Sequence, residues 1–259
     1  MGWKKIPLSD LCKIVVAVVL TAACSGAPER ARDAYSEALY SLDRGDYERA
    51  LRYAEEAARL APDSSRFVLL HAVVLRGTGD LWEAERVLED ALTRLPDDYG
   101  LLVEQGELYA EEGRTERAAE SLRRASAIEP CSTYALLRLA EMWRESGRLD
   151  SAQAALAELF QREGDKERAL VLLVGINEES GKTDTADSLL YVLLANPGED
   201  AVALAEDVWL SRAEEFVAQG LDELAAELVA RVDSLPPTRN GSQRHSRIEA
   251  IQGGTTRGS

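Results

Sequence analysis

The chain has 259 residues, of which 46% are hydrophobic and 29% charged, and its 46 acidic residues outnumber 30 basic ones to give a net charge of −16. A surface of that sign repels phosphate backbones, which excludes nucleic acid as a partner and favours neutral or basic proteins. Two histidines and three cysteines (Cys12, Cys24, Cys131) without paired spacing exclude a histidine-based metal or acid–base site, a zinc site and a redox CxxC pair.

The amino terminus reads MGWKKIPLSDLCKIVVAVVLTAAC. Lys4, Lys5 and Lys13 precede an apolar run from Ile14 to Ala23, about ten residues, which suits a signal-peptide core and is too short to cross a bilayer. The run ends Leu20-Thr21-Ala22-Ala23-Cys24, with a small residue directly before the cysteine. This resembles the lipobox of bacterial lipoproteins. The resemblance implies a signal peptide over 1–23, acylation of Cys24 as the lipid attachment (the palmitate-bearing residue), and a short linker over 24–30. Ser25 implies export to the outer membrane, periplasmic face. The alternatives are anchoring at the inner membrane, or cleavage as an ordinary signal peptide with release to the periplasm.

From residue 31 a period takes over. Gly45, Gly79, Gly113, Gly147 and Gly181 recur every 34 residues, each followed five residues later by Ala50, Ala84, Ala118, Ala152 and Ala186. Gly220 and Ala225 continue the pattern after a slip of five residues, which is placed around Asn196 to Ala201. Period and spacing resemble the tetratricopeptide repeat, a helix–turn–helix unit. The resemblance implies an all-α fold: a right-handed α-solenoid of about six antiparallel helix pairs, near 31–62, 65–96, 99–130, 133–164, 167–197 and 203–237. Each marked residue has a mechanical role. Glycine supplies a positive φ between the helices, where a Cβ would clash. Alanine lets the second helix approach the first, and Pro62, Pro96 and Pro130 end second helices.

The tail, 238–259, is polar, rich in Gly and Ser, and basic. It reads as disordered. A short helix from Arg244 to Ile251, or a fold-back onto the acidic repeats, are the other readings.

Site signals are few. The stretch Gly175 to Thr183, GINEESGKT, has five residues between its glycines where a P-loop has four. The acid pairs Glu111-Glu112 and Glu178-Glu179 read as solvated faces, His71 as a packed residue, and Cys131 as a buried inert thiol or an intermolecular disulfide partner. No cofactor, metal or catalytic residue is expected, and the chain is not read as an enzyme.

What remains is the groove. In the resembled family the first helices line a concave surface. The fifth positions here are Tyr35, Leu69, Val103, Leu137, Val171 and Leu210, an apolar stripe. Around them stand Arg32, Arg66, Arg76, Arg138 and Arg144, with Glu107, Glu111, Glu141, Glu145, Glu178 and Glu179 toward the carboxyl half. Two readings stay open: packing within the repeat core, or docking of a partner peptide along a groove polarised from basic to acidic. The resemblance implies a membrane-anchored protein–protein interaction scaffold of the bacterial cell envelope, with envelope proteins as partners. Lipoproteins of this plan include pilotins of pilus secretins, a barrel-assembly component and an adaptor for cell-wall hydrolases. One alternative is a periplasmic export chaperone or assembly factor for outer-membrane or pilus components. Another is a homo-oligomeric scaffold joined through the last second helix, where Leu221, Leu224, Ala225, Leu228, Val229 and Val232 form an apolar face.

Overall fold

Among the described residues, six glycines at positive φ divide the chain into helix pairs. Gly45, Gly79, Gly113, Gly147, Gly181 and Gly220 take φ between 70° and 88°. At each, the same two bonds close the preceding helix. Gly79 N donates to Arg76 O at 3.0 Å and Asp80 N to Leu75 O at 2.9 Å, and the other five turns repeat this register. This is the left-handed C-terminal motif that satisfies otherwise orphaned carbonyls. A Cβ at Gly79 would meet nothing within 4 Å. The clash that a Cβ would suffer is therefore with its own backbone: at positive φ it crowds the following carbonyl oxygen, which costs other residues about 1–2 kcal/mol.

The computed structural model describes residues 28–162, 166–195, 199–236 and 241–255. The apolar run 14–23, Cys12 and Cys24 lie outside them. Among the described residues there are thirteen helices and no strand. The pairs are α1 (Glu29–Asp43) with α2 (Tyr47–Leu60), α3 (Ser65–Thr78) with α4 (Leu81–Arg94), α5 (Tyr99–Glu111) with α6 (Thr115–Ile128), and α7 (Tyr134–Glu145) with α8 (Leu149–Phe160). Then come α9 (Glu167–Glu179) with α10 (Thr183–Leu194), α11 (Glu199–Ala218) with α12 (Asp222–Asp233), and α13 (Gly241–Thr255). None of these helices is long and apolar enough to cross a membrane.

The chain divides into two compact units, residues 1–164 and 165–259. The first holds α1 to α8 and the second α9 to α13. Within each, a helix packs on its sequence neighbours, and first helix meets first helix where α3 touches α5 and α11 touches α13. This stacking of helix pairs is an all-α solenoid of repeat units. The alanines are the contact points: Ala50, Ala84, Ala118, Ala152, Ala186 and Ala225 are all fully buried. Asp46 and Asp98 cap the helices that follow them, accepting from Arg49 N at 3.1 Å and Leu101 N at 3.0 Å.

Gly106 is the tightest approach. A Cβ there would lie 2.7 Å from Cγ and 2.9 Å from Cδ2 of the buried Leu122. Replacing a helical glycine with alanine ordinarily gains about 1 kcal/mol. Here overpacking of about 1–3 kcal/mol opposes it. Gly106→Ala is therefore expected to lower the urea midpoint, against the usual sign; a raised midpoint would show that α5 and α6 part without strain.

Three expectations need correction. The tail is not unstructured throughout, because Gly241–Thr255 is a helix. It folds back onto the C-terminal unit: Ile248 and Ile251 are buried in that unit's core, and Arg244 reaches Glu206 at 2.8 Å and the Val232 carbonyl at the end of α12. The sixth repeat's first helix starts at Glu199, not near 203, and runs for 20 residues. Cys131 is exposed rather than buried, since it follows Pro130 in the loop between α6 and α7. As expected, Gly175–Glu179 is helical and Gly181 is a repeat turn, so no phosphate loop forms.

Candidate interaction face

The first helices of the N-terminal unit, α1, α3, α5 and α7, carry most of the residues expected to line a groove. Tyr35, Leu69, Leu137 and, in the C-terminal unit, Leu210 are buried; Val103 and Val171 are half-buried. The apolar stripe is thus corrected to core at four of six positions. Tyr35 packs its ring 5.1 Å from Phe67, and Leu69 joins Leu88, Leu101 and Leu108 in one cluster. Burial of such side chains stabilises by about 1.5–3 kcal/mol each, which is why neighbouring repeats claim them.

The charges are also not arrayed as a free gradient. They pair from repeat to repeat. Arg66 lies over the Tyr35 ring, 4.7 Å from its centroid, and donates to its hydroxyl at 3.1 Å. Arg76 on α3 grips Glu104 on α5 through Nε at 2.6 Å and Nη2 at 3.3 Å, and Glu111 through Nη1 at 2.6 Å. Arg138 on α7 forks onto Glu107 at 2.7 and 2.8 Å and takes Glu141 with its remaining amino group at 2.6 Å. Tyr134 adds a hydroxyl donation to Glu107 at 3.3 Å. In the C-terminal unit Arg212 holds Glu178 and Asp187, and Arg247 on α13 holds Glu214 and Asp207. Arg76, Arg138, Arg212 and Arg247 therefore each neutralise acids on their own or an adjacent element, while Arg66 is taken up by the Tyr35 ring, and the expected polarity from basic to acidic is weakened.

Burial sets the electrostatics. The Arg76 side chain is 8% exposed and the Glu104 side chain 3%. Burial pushes the Glu104 carboxyl up, while Arg76 draws it back. Carboxylates hold Arg76 and Arg138 firmly protonated. Burial pushes the Tyr134 hydroxyl up, reinforced by Glu107. His71, packed in α3 as expected, has its pKa lowered by burial. Sequence reasoning named Arg76 and Arg138 but missed Glu104, because a glutamate at an interior position carries no signal until its partner 28 residues away is known to face it.

Two further features stand outside this face. Trp143 Nε1 is buried without a hydrogen-bond partner among the described residues, and Arg148 lies 4.8 Å over its ring. The last second helix buries Ala225, Leu228, Val229 and Val232 and leaves Leu221 and Leu224 exposed. With α13 packed beside it, the wide open apolar end expected there is largely closed. No group of His, Cys, Asp and Glu suited to a metal occurs among the described residues.

The sequence profile of the family described as Tetratricopeptide repeat matches residues 41–105 and 109–173, together half of the chain. No curated protein matches in sequence. Among solved structures, a tetratricopeptide repeat protein from Parabacteroides merdae ATCC 43184 gives a TM-score of 0.56 at 18% identity, covering 88% of this chain and 100% of that one. PilF of Pseudomonas aeruginosa gives 0.58 at 16%, covering 86% and 97%. MamA from Desulfovibrio magneticus RS-1, from its residue 41 onward, gives 0.54 at 19%, covering 66% and 96%. At those identities the likeness is one of fold.

Proposed function

The chain belongs to the tetratricopeptide repeat family, and from that premise we propose that it is a membrane-anchored adaptor of the bacterial cell envelope, holding a partner protein without acting on it chemically. The repeat is an interaction fold, and its work lies in the surface that the stack presents. The observation that carries the reading is the first-helix face of the N-terminal unit. There the half-buried Val103 adjoins Glu104 and precedes Glu107 by one turn on α5, the acids that Arg76 and Arg138 hold, and Glu111 and Glu141 of the same clusters remain partly accessible. Fixed ion pairs make such a face selective. A partner must match their positions or leave charges unpaired.

The anchor is Cys24. The lipobox residues support acylation there, and only residues 25–28 separate it from α1. Two or more acyl chains give stable membrane attachment. The outer membrane is the proposed address, on Ser25.

The test is co-purification of the full-length protein from membranes, with the partner identified by mass spectrometry. Val103→Lys is expected to reduce recovery of that partner at least about tenfold, the loss of one central contact, with an unchanged helical spectrum. Cys24→Ala is expected to move the protein to the soluble fraction and remove the acyl mass. Undiminished capture by the Val103 variant would remove the face from the mechanism. Membrane retention of the Cys24 variant would remove the anchor.

A further inference from the structure

The last described helix of the C-terminal unit stands where the first helix of a further repeat would stand. Helix α13 packs on α11 and α12 as α5 packs on α3 and α4. Its seating is thin. Helix α5 buries seven residues, whereas α13 buries Ile248 and Ile251 alone among its described side chains. Its sequence opens Gly241-Ser242 and closes Gly253-Gly254-Thr255, and glycine weakens a helix more than any residue but proline. A segment held by few apolar contacts is the kind that opens locally while the rest of a fold stays closed.

The seat beneath it is better built than the helix that fills it. Helix α11 carries six acids and one base, and that base, Arg212, is taken by Glu178 and Asp187 on the preceding helix pair. The opposing charge comes from α13. The Arg244 side chain, 13% exposed, enters a socket formed by Glu206, 8% exposed, at 2.8 Å, and by the Val232 carbonyl in the last turn of α12. Carboxylate and helix C-terminus both favour a cation there. Arg247 takes Asp207 at 2.9 Å and Glu214 at 2.8 Å along the edge of α11. Beside them Ile248 and Ile251 join the cluster of Trp209, Leu228, Val229 and Val232. The four α13 residues stand at i, i+3, i+4 and i+7, one stripe of one helical face. The seat thus selects a helix by two cations and two apolar side chains in fixed register.

We infer that this seat is a docking site for a basic amphipathic helix of a partner protein, and that α13 is an internal stand-in which the partner helix displaces. The partner helix carries arginine or lysine at the first two places of the stripe and leucine or isoleucine at the last two. The charge of the seat fixes the sign of the occupant. The glycines of α13 leave room for a better helix former to compete against its tether. The site lies in the C-terminal unit, so it stands or falls independently of capture through Val103 in the N-terminal unit.

The probe is a labelled peptide with the 15-residue sequence of α13 in which Gly241, Gly253 and Gly254 are replaced by alanine. Control peptides carry glutamate for both arginines, or serine for both isoleucines. The full-length protein in detergent micelles is titrated by fluorescence anisotropy, and amide exchange over 241–255 is followed by mass spectrometry with and without the probe. The expected result is that the probe alone binds, and that exchange over 241–255 quickens when it does. The double variant Ile248→Asp with Ile251→Asp empties the seat and should bind the probe about tenfold or more tightly than wild type. Arg244→Glu, which keeps both isoleucines, should do so severalfold and decides the matter if the double variant melts without cooperativity. Equal binding of the glutamate peptide, exchange over 241–255 unmoved by a bound probe, or no binding to the released variants at millimolar peptide would each overturn the proposal. So would sedimentation showing that these variants abolish a dimer of this chain, which would make the α13 of a second copy the occupant.

Discussion

Replacing Arg76 with methionine is expected to cost about 3–5 kcal/mol, because it strands a buried carboxylate. Methionine keeps much of the apolar volume of the arginine stem, so the loss is electrostatic. Glu104, 3% exposed, then faces only Glu107 and Glu111 among the charges near it. Burial already pushes this carboxyl up, and Arg76 is the one group drawing it down. In the variant its folded-state pKa rises further above the unfolded value of about 4.3. A group raised in this way contributes stability that is complete below the unfolded pKa and is lost as pH rises through the folded one. The deficit against wild type should therefore be small near pH 4.5 and grow toward pH 8. Urea unfolding at the two pH values measures it. The double variant Arg76→Met with Glu104→Leu should recover most of the loss, since an apolar pair of similar size replaces a buried ion pair at little or no cost. A deficit that is small and flat with pH would mean that water reaches Glu104.

This pair marks the limit of what sequence could supply. The turn glycines and contact alanines were legible because each obeys a local rule: one backbone conformation at Gly79, one close helix approach at Ala84. Such rules act within a few residues and recur at the period. Tyr35, Leu69 and Leu137 stayed open between core and groove for the opposite reason. A first helix has one face toward the next repeat and one toward the groove, and its apolar pattern does not say which is which. The ion pairs were illegible in kind. Arg76 reaches 28 residues ahead and Arg138 reaches 31 back, neither equal to the repeat length, so the spacing depends on how adjacent helices cross. The α13 helix, one of the readings open for the tail, was outweighed by composition. Its glycines and serines speak for disorder, and two isoleucines and two arginines meeting partners more than thirty residues away in α11 overrule them.

Trp209→Ala is expected to match the Arg76 variant in size, at about 3–5 kcal/mol, through a different mechanism. The Trp209 side chain is buried in the core of the C-terminal unit, together with Leu190 and Leu193 of α10, Leu228 and Val229 of α12, and Ile248 and Ile251 of α13. Truncation opens a cavity lined by the helices that α11 holds together. It also removes a bond from Nε1 to Asp187 at 3.1 Å, where Arg212 and Arg231 also converge. The two terms separate in the phenylalanine variant. Trp209→Phe keeps most of the buried ring but loses the bond to a charged acceptor, at an expected cost of about 1–2 kcal/mol. Trp143 in the N-terminal unit is the control. Its Nε1 is buried with nothing to donate to among the described residues, so Trp143→Phe removes an uncompensated desolvation along with some volume and should fall within about 1 kcal/mol of wild type. Equal costs for the two phenylalanine variants would show that ring volume alone sets the stability at both sites, and that the Asp187 bond contributes nothing.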